Sequence, residues 1–187
     1  MRLVLLGAPG SGKGTQATSL KTALGVPHVS TGDLLRGAVK AGTPLGLKAK
    51  AVMESGQLVS DEIVLGMLEE RLAEADAKAG FILDGYPRNV AQCAALEALL
   101  ARIGQPLDVA VKLDVPNELI VDRIAGRAAA EGRKDDTPDT VRERLRVYAE
   151  QTEPVAGHFA GQDKLVVVDG VGDLAVVFDR ILAALPK

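Results

Sequence analysis

Tryptophan is missing from this chain, and aromatic residues make up only 3% of it. Single-strand nucleic-acid platforms stack bases on aromatic faces, so that class of function has little to rest on. Cysteine occurs once, at Cys93, which excludes an internal disulfide and a multi-cysteine zinc site. Its apolar, helix-like neighbours mark it as a buried structural thiol and not a nucleophile. Long hydrophobic runs are also missing. The longest near the N-terminus, residues 3–6, is far too short for a membrane span or the core of a signal peptide. We therefore expect a soluble, cytoplasmic protein without a membrane partner. A basic excess is lacking too: 22 Lys and Arg stand against 25 Asp and Glu, a net charge of −3, which argues against nucleic acid as the main partner. What remains is 187 residues, 47% hydrophobic and 25% charged, enough for one globular domain with a sizeable core. Nothing in it repeats, and no linker divides it.

Short apolar runs alternate with longer helical patterns. Residues 3–6, 26–29, 80–83, 109–113 and 165–168 read as strands, and their continuous apolar character suits strands covered on both faces. Helical patterns cover 14–24, 61–75, 90–103, 117–127, 140–157 and 173–185. Ser60 is placed to cap the second of these, with Asp61 and Glu62 at its positive end. This alternation predicts an α/β fold, a parallel sheet of about five strands with helices on both faces. Two stretches break the rhythm: residues 30–59, punctuated by glycines and Pro44, and the short charged segment 126–136. Both read as insertions at the sheet's working edge, into a core of residues 1–29, 60–125 and 137–187.

The strongest chemical signal is Gly7-Ala8-Pro9-Gly10-Ser11-Gly12-Lys13-Gly14-Thr15. It follows a strand and opens a helix, the context a phosphate-binding P-loop requires. Glycines let successive N–H groups turn toward phosphate oxygens. The helix start adds a positive dipole end, and Lys13 adds a mobile charge for the β- and γ-phosphates. The residue after the lysine is Gly14 where the general pattern has a hydroxyl, so Thr15 is the nearest hydroxyl available beside Mg²⁺. A P-loop names a nucleotide phosphate and leaves the reaction open.

The rest of the chain narrows it. Ser30-Thr31-Gly32-Asp33-Leu34-Leu35-Arg36 follows the second strand. It reads either as an acceptor for an anion and a polar base or as a plain helix cap with Arg36 on a solvated face. Asp84-Gly85-Tyr86-Pro87-Arg88 follows the third strand. Asp84 suits Mg²⁺ held through water and Arg88 suits a forked grip on phosphate; the alternative is a salt bridge between the two. Arg123, Arg127, Arg133, Arg142, Arg144 and Arg146 then cluster toward the C-terminal part. Residues two apart do not share a helix face, so some of these are surface charges, while others would offset the charge of two nucleotides. His28 and His158 read as structural or exposed, not as general bases.

Taken in order along the chain, these motifs resemble the adenylate kinase family. The resemblance spans essentially the whole sequence and includes Gln92, Gly126-Arg127, Arg133-Lys134-Asp135-Asp136 and Val141-Arg142-Glu143-Arg144. It implies a nucleoside monophosphate kinase fold in which residues 30–59 bind the monophosphate and 126–136 form a short lid lacking zinc cysteines. It implies reversible transfer of the terminal phosphoryl group of Mg²⁺-ATP to AMP, giving two ADP, in a monomer. By the resemblance Gly10, Ser11, Gly12, Lys13, Gly14, Thr15, Arg127 and the backbone of Gly172 hold ATP. Thr31, Arg36, Gln57, Leu58, Val59, Gly85, Tyr86, Pro87, Arg88 and Gln92 hold AMP. Lys13, Arg88, Arg127, Arg133 and Arg144 act on the phosphates at transfer, Arg133 and Arg144 bridging them. Mg²⁺ is held mainly by phosphates and water, with Thr15 and Asp84 as possible supports.

Relatives that use UMP or CMP share most of the pattern, including a short lid. They typically carry Ala where Thr31 stands, so Thr31 and Gln92 favour AMP. A nucleotide switch acting on a protein partner would need a base-specificity loop such as Asn-Lys-x-Asp and a water-aligning glutamine, and neither is present. A small-molecule kinase of another kind would leave Gln57, Leu58, Val59 and Gln92 with no base to read.

Overall fold

The computed structural model describes residues 1–131 and 137–186. Its centre is a parallel sheet of five strands in the order β2-β3-β1-β4-β5. The strands are β1 (Arg2–Leu6), β2 (His28–Ser30), β3 (Phe81–Asp84), β4 (Val109–Asp114) and β5 (Leu165–Asp169). β1 alternates with period two: Leu3 and Leu5 enter one buried cluster, Val4 and Leu6 the other. The first cluster is closed by α1 (Lys13–Leu24) and α9 (Leu174–Ala184), through Ala17, Leu20, Val177 and Ile181. The second is closed by α4 (Asp61–Leu72), α5 (Val90–Arg102) and α8 (Glu153–Ala160), through Leu68, Leu96 and Phe159. The fold is thus the P-loop type of α/β sheet, covered on both faces.

Strand order sets the site. The chain leaves β1 for β2 and β3 on one side, then crosses to β4 and β5 on the other. The C-terminal end of β1 is therefore the point where winding reverses, which is where open α/β sheets bind ligands.

The structure corrects several expected boundaries. β2 starts at His28, two residues after the expected start, because Pro27 has no N–H for the ladder; its carbonyl still accepts from Ile82 N at 2.9 Å. β5 is an edge strand, and Val167 is 58% exposed, so its apolar run is not covered on both faces. The second helical pattern ends at Leu72 and is followed by a 3₁₀ turn at Ala75–Ala79. Ser60 stands at the N-cap of α4, but its side chain makes no cap hydrogen bond. The expected single helix over 140–157 is three pieces: α7 (Pro138–Val147), a π turn (Tyr148–Thr152) and α8. Pro154 is the cause, since it lacks a donor and its ring crowds the carbonyl four residues back, so the ladder shifts register.

The insertion after β2 is helical, formed by α2 (Thr31–Lys40) and α3 (Pro44–Glu54). Ser30 caps α2, accepting from Asp33 N at 3.2 Å, and Thr43 caps α3, accepting from Gly46 N at 3.0 Å. The two helices touch at Gly46, where a Cβ would lie 2.1 Å from the Ala38 carbonyl oxygen. Backbone cannot yield as a side chain can. Gly46→Ala is therefore expected to lower stability by about 2–3 kcal/mol, the scale of overpacking, and Tm by ~5–10 °C. Thermal unfolding checks this; an unchanged Tm would mean that α2 and α3 separate freely.

Candidate active site

Backbone conformation explains the P-loop's composition. Gly7, Gly10 and Gly12 have φ of 148°, 82° and 97°, values that favour glycine. Gly10 has a second constraint: a Cβ there would lie 2.6 Å from Ile124 Cγ1. The loop wraps over the start of α1, whose N-cap is Gly12. Ser11 is buried, and its Oγ has no hydrogen-bond partner among the described residues. Lys13 folds its amine over the loop, donating to the Gly7 and Ala8 carbonyl oxygens at 2.8 and 3.0 Å. Burial lowers the Lys13 pKa to about 8, aided by Arg88, Arg144 and Arg127 and opposed by Asp84.

Asp84 ends β3 within this cleft. Burial acts to raise its pKa, but the His28 hydrogen bond and the charges of Lys13, His28 and Arg88 outweigh it, so the carboxyl stays below its ordinary value and ionised. His28 Nε2 lies 3.3 Å from Asp84 Oδ2. His28, expected from the sequence to be structural or exposed, borders the cleft, and only the pairing of β2 with β3, His28 opposite Ile82, brings it beside Asp84.

Gly85, with φ 86°, turns the chain so that Arg88 folds back. Arg88 Nε donates to the Gly85 carbonyl at 2.6 Å. Thr152 Oγ1 donates to the Arg88 carbonyl at 2.7 Å, and the Arg88 N–H donates to Gln92 Oε1 at 2.6 Å. These bonds fix the guanidinium plane at the cleft wall. Asp84 Oδ2 has His28 Nε2 as a partner, and the Arg88 charge also acts on this carboxylate.

Two cavities meet here. A cleft of about 1080 Å³ runs from the P-loop past Arg123 and Arg127 to Gly170, Gly172 and Leu174. A smaller pocket is bordered by Thr31, Gln57, Leu58, Val59 and Gln92. Arg36, Arg88 and Arg144 border both. Gly10, Ser11, Gly12, Gly14, Thr15, Tyr86 and Pro87 also line the large cleft. Ser30 caps α2, as the helix-cap reading of residues 30–36 expects, while Thr31 is buried and borders the smaller pocket. Arg36 pairs with Asp33 at 2.6 Å and still borders both cavities.

The arginines sort by helix face as the spacing required. Arg144 borders both cavities, whereas Arg142 pairs with Asp139 and Arg146 with Glu143 and Glu150 on the surface. Arg133 lies outside the described residues. The helix bearing Arg123 and Arg127, α6 (Asn117–Glu131), continues four residues past its expected end at 127. Ala128, Ala129 and Ala130 have high helix propensity, which outweighs the polar character of the segment.

Two contributors have no role of their own in the sequence reading. Arg123 donates to the Ser11 and Gly170 carbonyls, each at 3.2 Å, joining the P-loop to the loop after β5. Its one-turn spacing from Arg127 was the available signal. Leu174, 62% exposed beside Gly172, gives the cleft an apolar wall; nothing in the sequence separates it from an ordinary helix residue.

A family model described as adenylate kinase matches residues 5–164. The chain belongs to the adenylate kinase family. It is 65% identical over 187 residues, all of both chains, to a protein named adenylate kinase from Xanthomonas euvesicatoria pv. vesicatoria (strain 85-10). A namesake from Xanthomonas oryzae pv. oryzae (strain MAFF 311018) is 66% identical over the same full length. One from Stenotrophomonas maltophilia (strain R551-3) is 63% identical over 99% of each chain. As an adenylate kinase relative the chain has the phosphotransferase fold that its motifs implied. Cys93, buried on α5 with burial pushing its thiol up to about 12, is an inert core residue. Among the described residues no helix is long and apolar enough to cross a membrane.

Proposed function

We propose that this chain transfers the terminal phosphoryl group of Mg²⁺-ATP to AMP, reversibly, giving two ADP. The observation that carries the reading is that two cavities, one at the P-loop and one beyond it, share the border of Arg36, Arg88 and Arg144. A transfer between two nucleotides needs two sites meeting at a positively charged seam.

On this reading Gly10 to Thr15 hold the ATP phosphates and Lys13 charges the β/γ side. Arg127 and the Gly172 backbone hold the rest of ATP. Thr31, Gln57, Leu58, Val59 and Gln92 hold the adenosine part of AMP; Arg36, Gly85, Tyr86, Pro87 and Arg88 hold its phosphate. Arg144 and Arg133 bridge the phosphates. The AMP phosphate oxygen is already a nucleophile, so no covalent enzyme intermediate is needed; the residues align donor and acceptor and stabilise charge. On this reading residues 30–59 bind the monophosphate and 126–136 serve as the short lid, excluding water so that the phosphoryl group reaches AMP.

The donor set suits a magnesium ion carried in with ATP. Asp84 is ionised and borders the cleft with Thr15, and Ser11, whose Oγ has no hydrogen-bond partner among the described residues, lines the same cleft. Mg²⁺ would be held mainly by phosphates and water, with Thr15 and Asp84 in support. When bound it neutralises charge on the β- and γ-phosphate oxygens. We read the protein as a cytoplasmic monomer whose partners are ATP, AMP and ADP.

An acceptor screen tests the reading. With Mg²⁺-ATP, ADP formation is expected with AMP and at most weakly with CMP, UMP or GMP. Turnover chiefly with UMP or CMP would overturn the acceptor pocket, and hydrolysis indifferent to every acceptor would restore the nucleotide switch.

A further inference from the structure

Gln92 is buried, and both ends of its carboxamide are engaged. Oε1 accepts from the Arg88 backbone N–H at 2.6 Å. Nε2 donates to Asp61 Oδ1 at 2.6 Å. Asp61 is the first residue of α4, and the same oxygen accepts from Asn89 Nδ2 at 3.3 Å. Gln92 N in turn donates to Asn89 Oδ1 at 2.8 Å. A backbone N–H can only donate, and an ionised carboxylate can only accept. A flipped carboxamide would set N–H against N–H at Arg88 and oxygen against oxygen at Asp61. The orientation of Gln92 is thereby decided from both ends.

That orientation has a chemical meaning. Each end of a carboxamide has capacity left: a second N–H on Nε2 and a second lone pair on Oε1. An amino-purine edge offers an N1 acceptor beside an exocyclic N–H donor, which one carboxamide orientation matches. A 6-oxo-purine edge offers the reverse, an N–H beside a carbonyl, and needs the flipped carboxamide. We propose that Asp61 is a specificity-determining positioning residue. By pinning Nε2 of Gln92 it commits the acceptor pocket to 6-amino purines and disfavours 6-oxo purines, which otherwise have the same shape. The proposal rests on the reading of this pocket as the AMP site.

The test uses AMP and IMP as acceptors on the full-length protein, measuring kcat/KM for each. An inhibition constant against AMP replaces it where IMP is not turned over. Asp61 is exposed, so Asp61→Ala is expected to fold. It should lower the AMP-to-IMP preference by at least tenfold, raise KM for AMP, and leave KM for ATP within about twofold. Asp61→Asn should keep most of the preference, because both neighbours aim donors at this position and favour the amide oxygen there. Glu62→Ala, which removes the other first-turn carboxylate of α4, should leave the preference unchanged.

The deciding comparison is made in the Gln92→Leu background. There Asp61 has nothing to position, so adding Asp61→Ala should change the preference no further. An unaltered AMP-to-IMP ratio in Asp61→Ala would overturn the inference. So would an equal loss with and without Gln92. If the parent protein itself fails to use AMP, the proposed function falls, an outcome distinct from either.

Discussion

Replacing Lys13 with methionine is expected to lower kcat about 10²- to 10⁴-fold and, at neutral pH, to make the ligand-free protein harder to unfold. The first effect follows from the role proposed for the amine. It sits over the P-loop, held by the Gly7 and Ala8 carbonyls, where negative charge migrates during transfer. Losing one preorganised donor of that kind costs 10²–10³ in related settings, and loss of a full charge extends the range. The second effect follows from burial. The Lys13 pKa falls from 10.5 to about 8, so the folded protein binds this proton more weakly than the unfolded chain does. Stability then rises with pH between about 8 and 10.5, where the unfolded chain binds more protons. At pH 7 the charged group costs at most ~3 kcal/mol, and since the side chain is only half-buried, cleft water reduces this to ~1–2 kcal/mol. The Tm advantage of Lys13→Met over the parent should therefore be largest near pH 7 and shrink toward pH 10.5. Scanning calorimetry across that range checks the sign; an advantage that grows with pH would contradict it. The same titration shapes kinetics. In the parent protein kcat/KM for ATP should fall above pH ~8, while kcat persists to higher pH because bound phosphates raise the Lys13 pKa.

Arg88→Ala is expected to lower kcat about 10²- to 10⁴-fold, with little rescue by Arg88→Lys. The argument is geometric. The Nε bond to Gly85 at 2.6 Å fixes the direction of the guanidinium, and the Thr152 and Gln92 bonds fix its backbone. A planar fork held this way meets phosphate oxygens without reorganising. A lysine keeps the charge but has no Nε to anchor, so it arrives as a mobile point charge. Gly85 is part of the device: a Cβ there would lie 3.2 Å from Arg88 Nη2 and 2.8 Å from Thr31 Oγ1. Steady-state kinetics with both nucleotides varied would show the loss mainly in kcat. A lysine variant as active as the parent would mean that charge alone suffices at this position.

Local signals in the chain determined most of the fold. The period-two alternation of β1 places Leu3 and Leu5 on one face and Val4 and Leu6 on the other, and the glycines of the P-loop announce backbone that other residues adopt poorly. The same holds for the arginine faces on α7, since helical spacing alone separates Arg144 from Arg142 and Arg146. Such features depend on neighbours within a few residues, so a sequence can carry them. Boundaries were less legible where a local preference met another constraint: Pro154 divides the helix expected over 140–157, and the alanine run carries α6 past 127 to Glu131.

Tertiary structure alone decided the pairings. His28 reaches Asp84 because β2 lies beside β3; Arg123 joins Ser11 to Gly170 across 112 and 47 residues of chain. Asp61, which the sequence presents only as a helix-start carboxylate, becomes the partner of a buried glutamine 31 residues away. Each of these is a polar contact between residues distant in sequence. Its existence depends on strand order and helix docking, which sum many weak apolar contacts over the whole chain, and no residue type at either end announces the other.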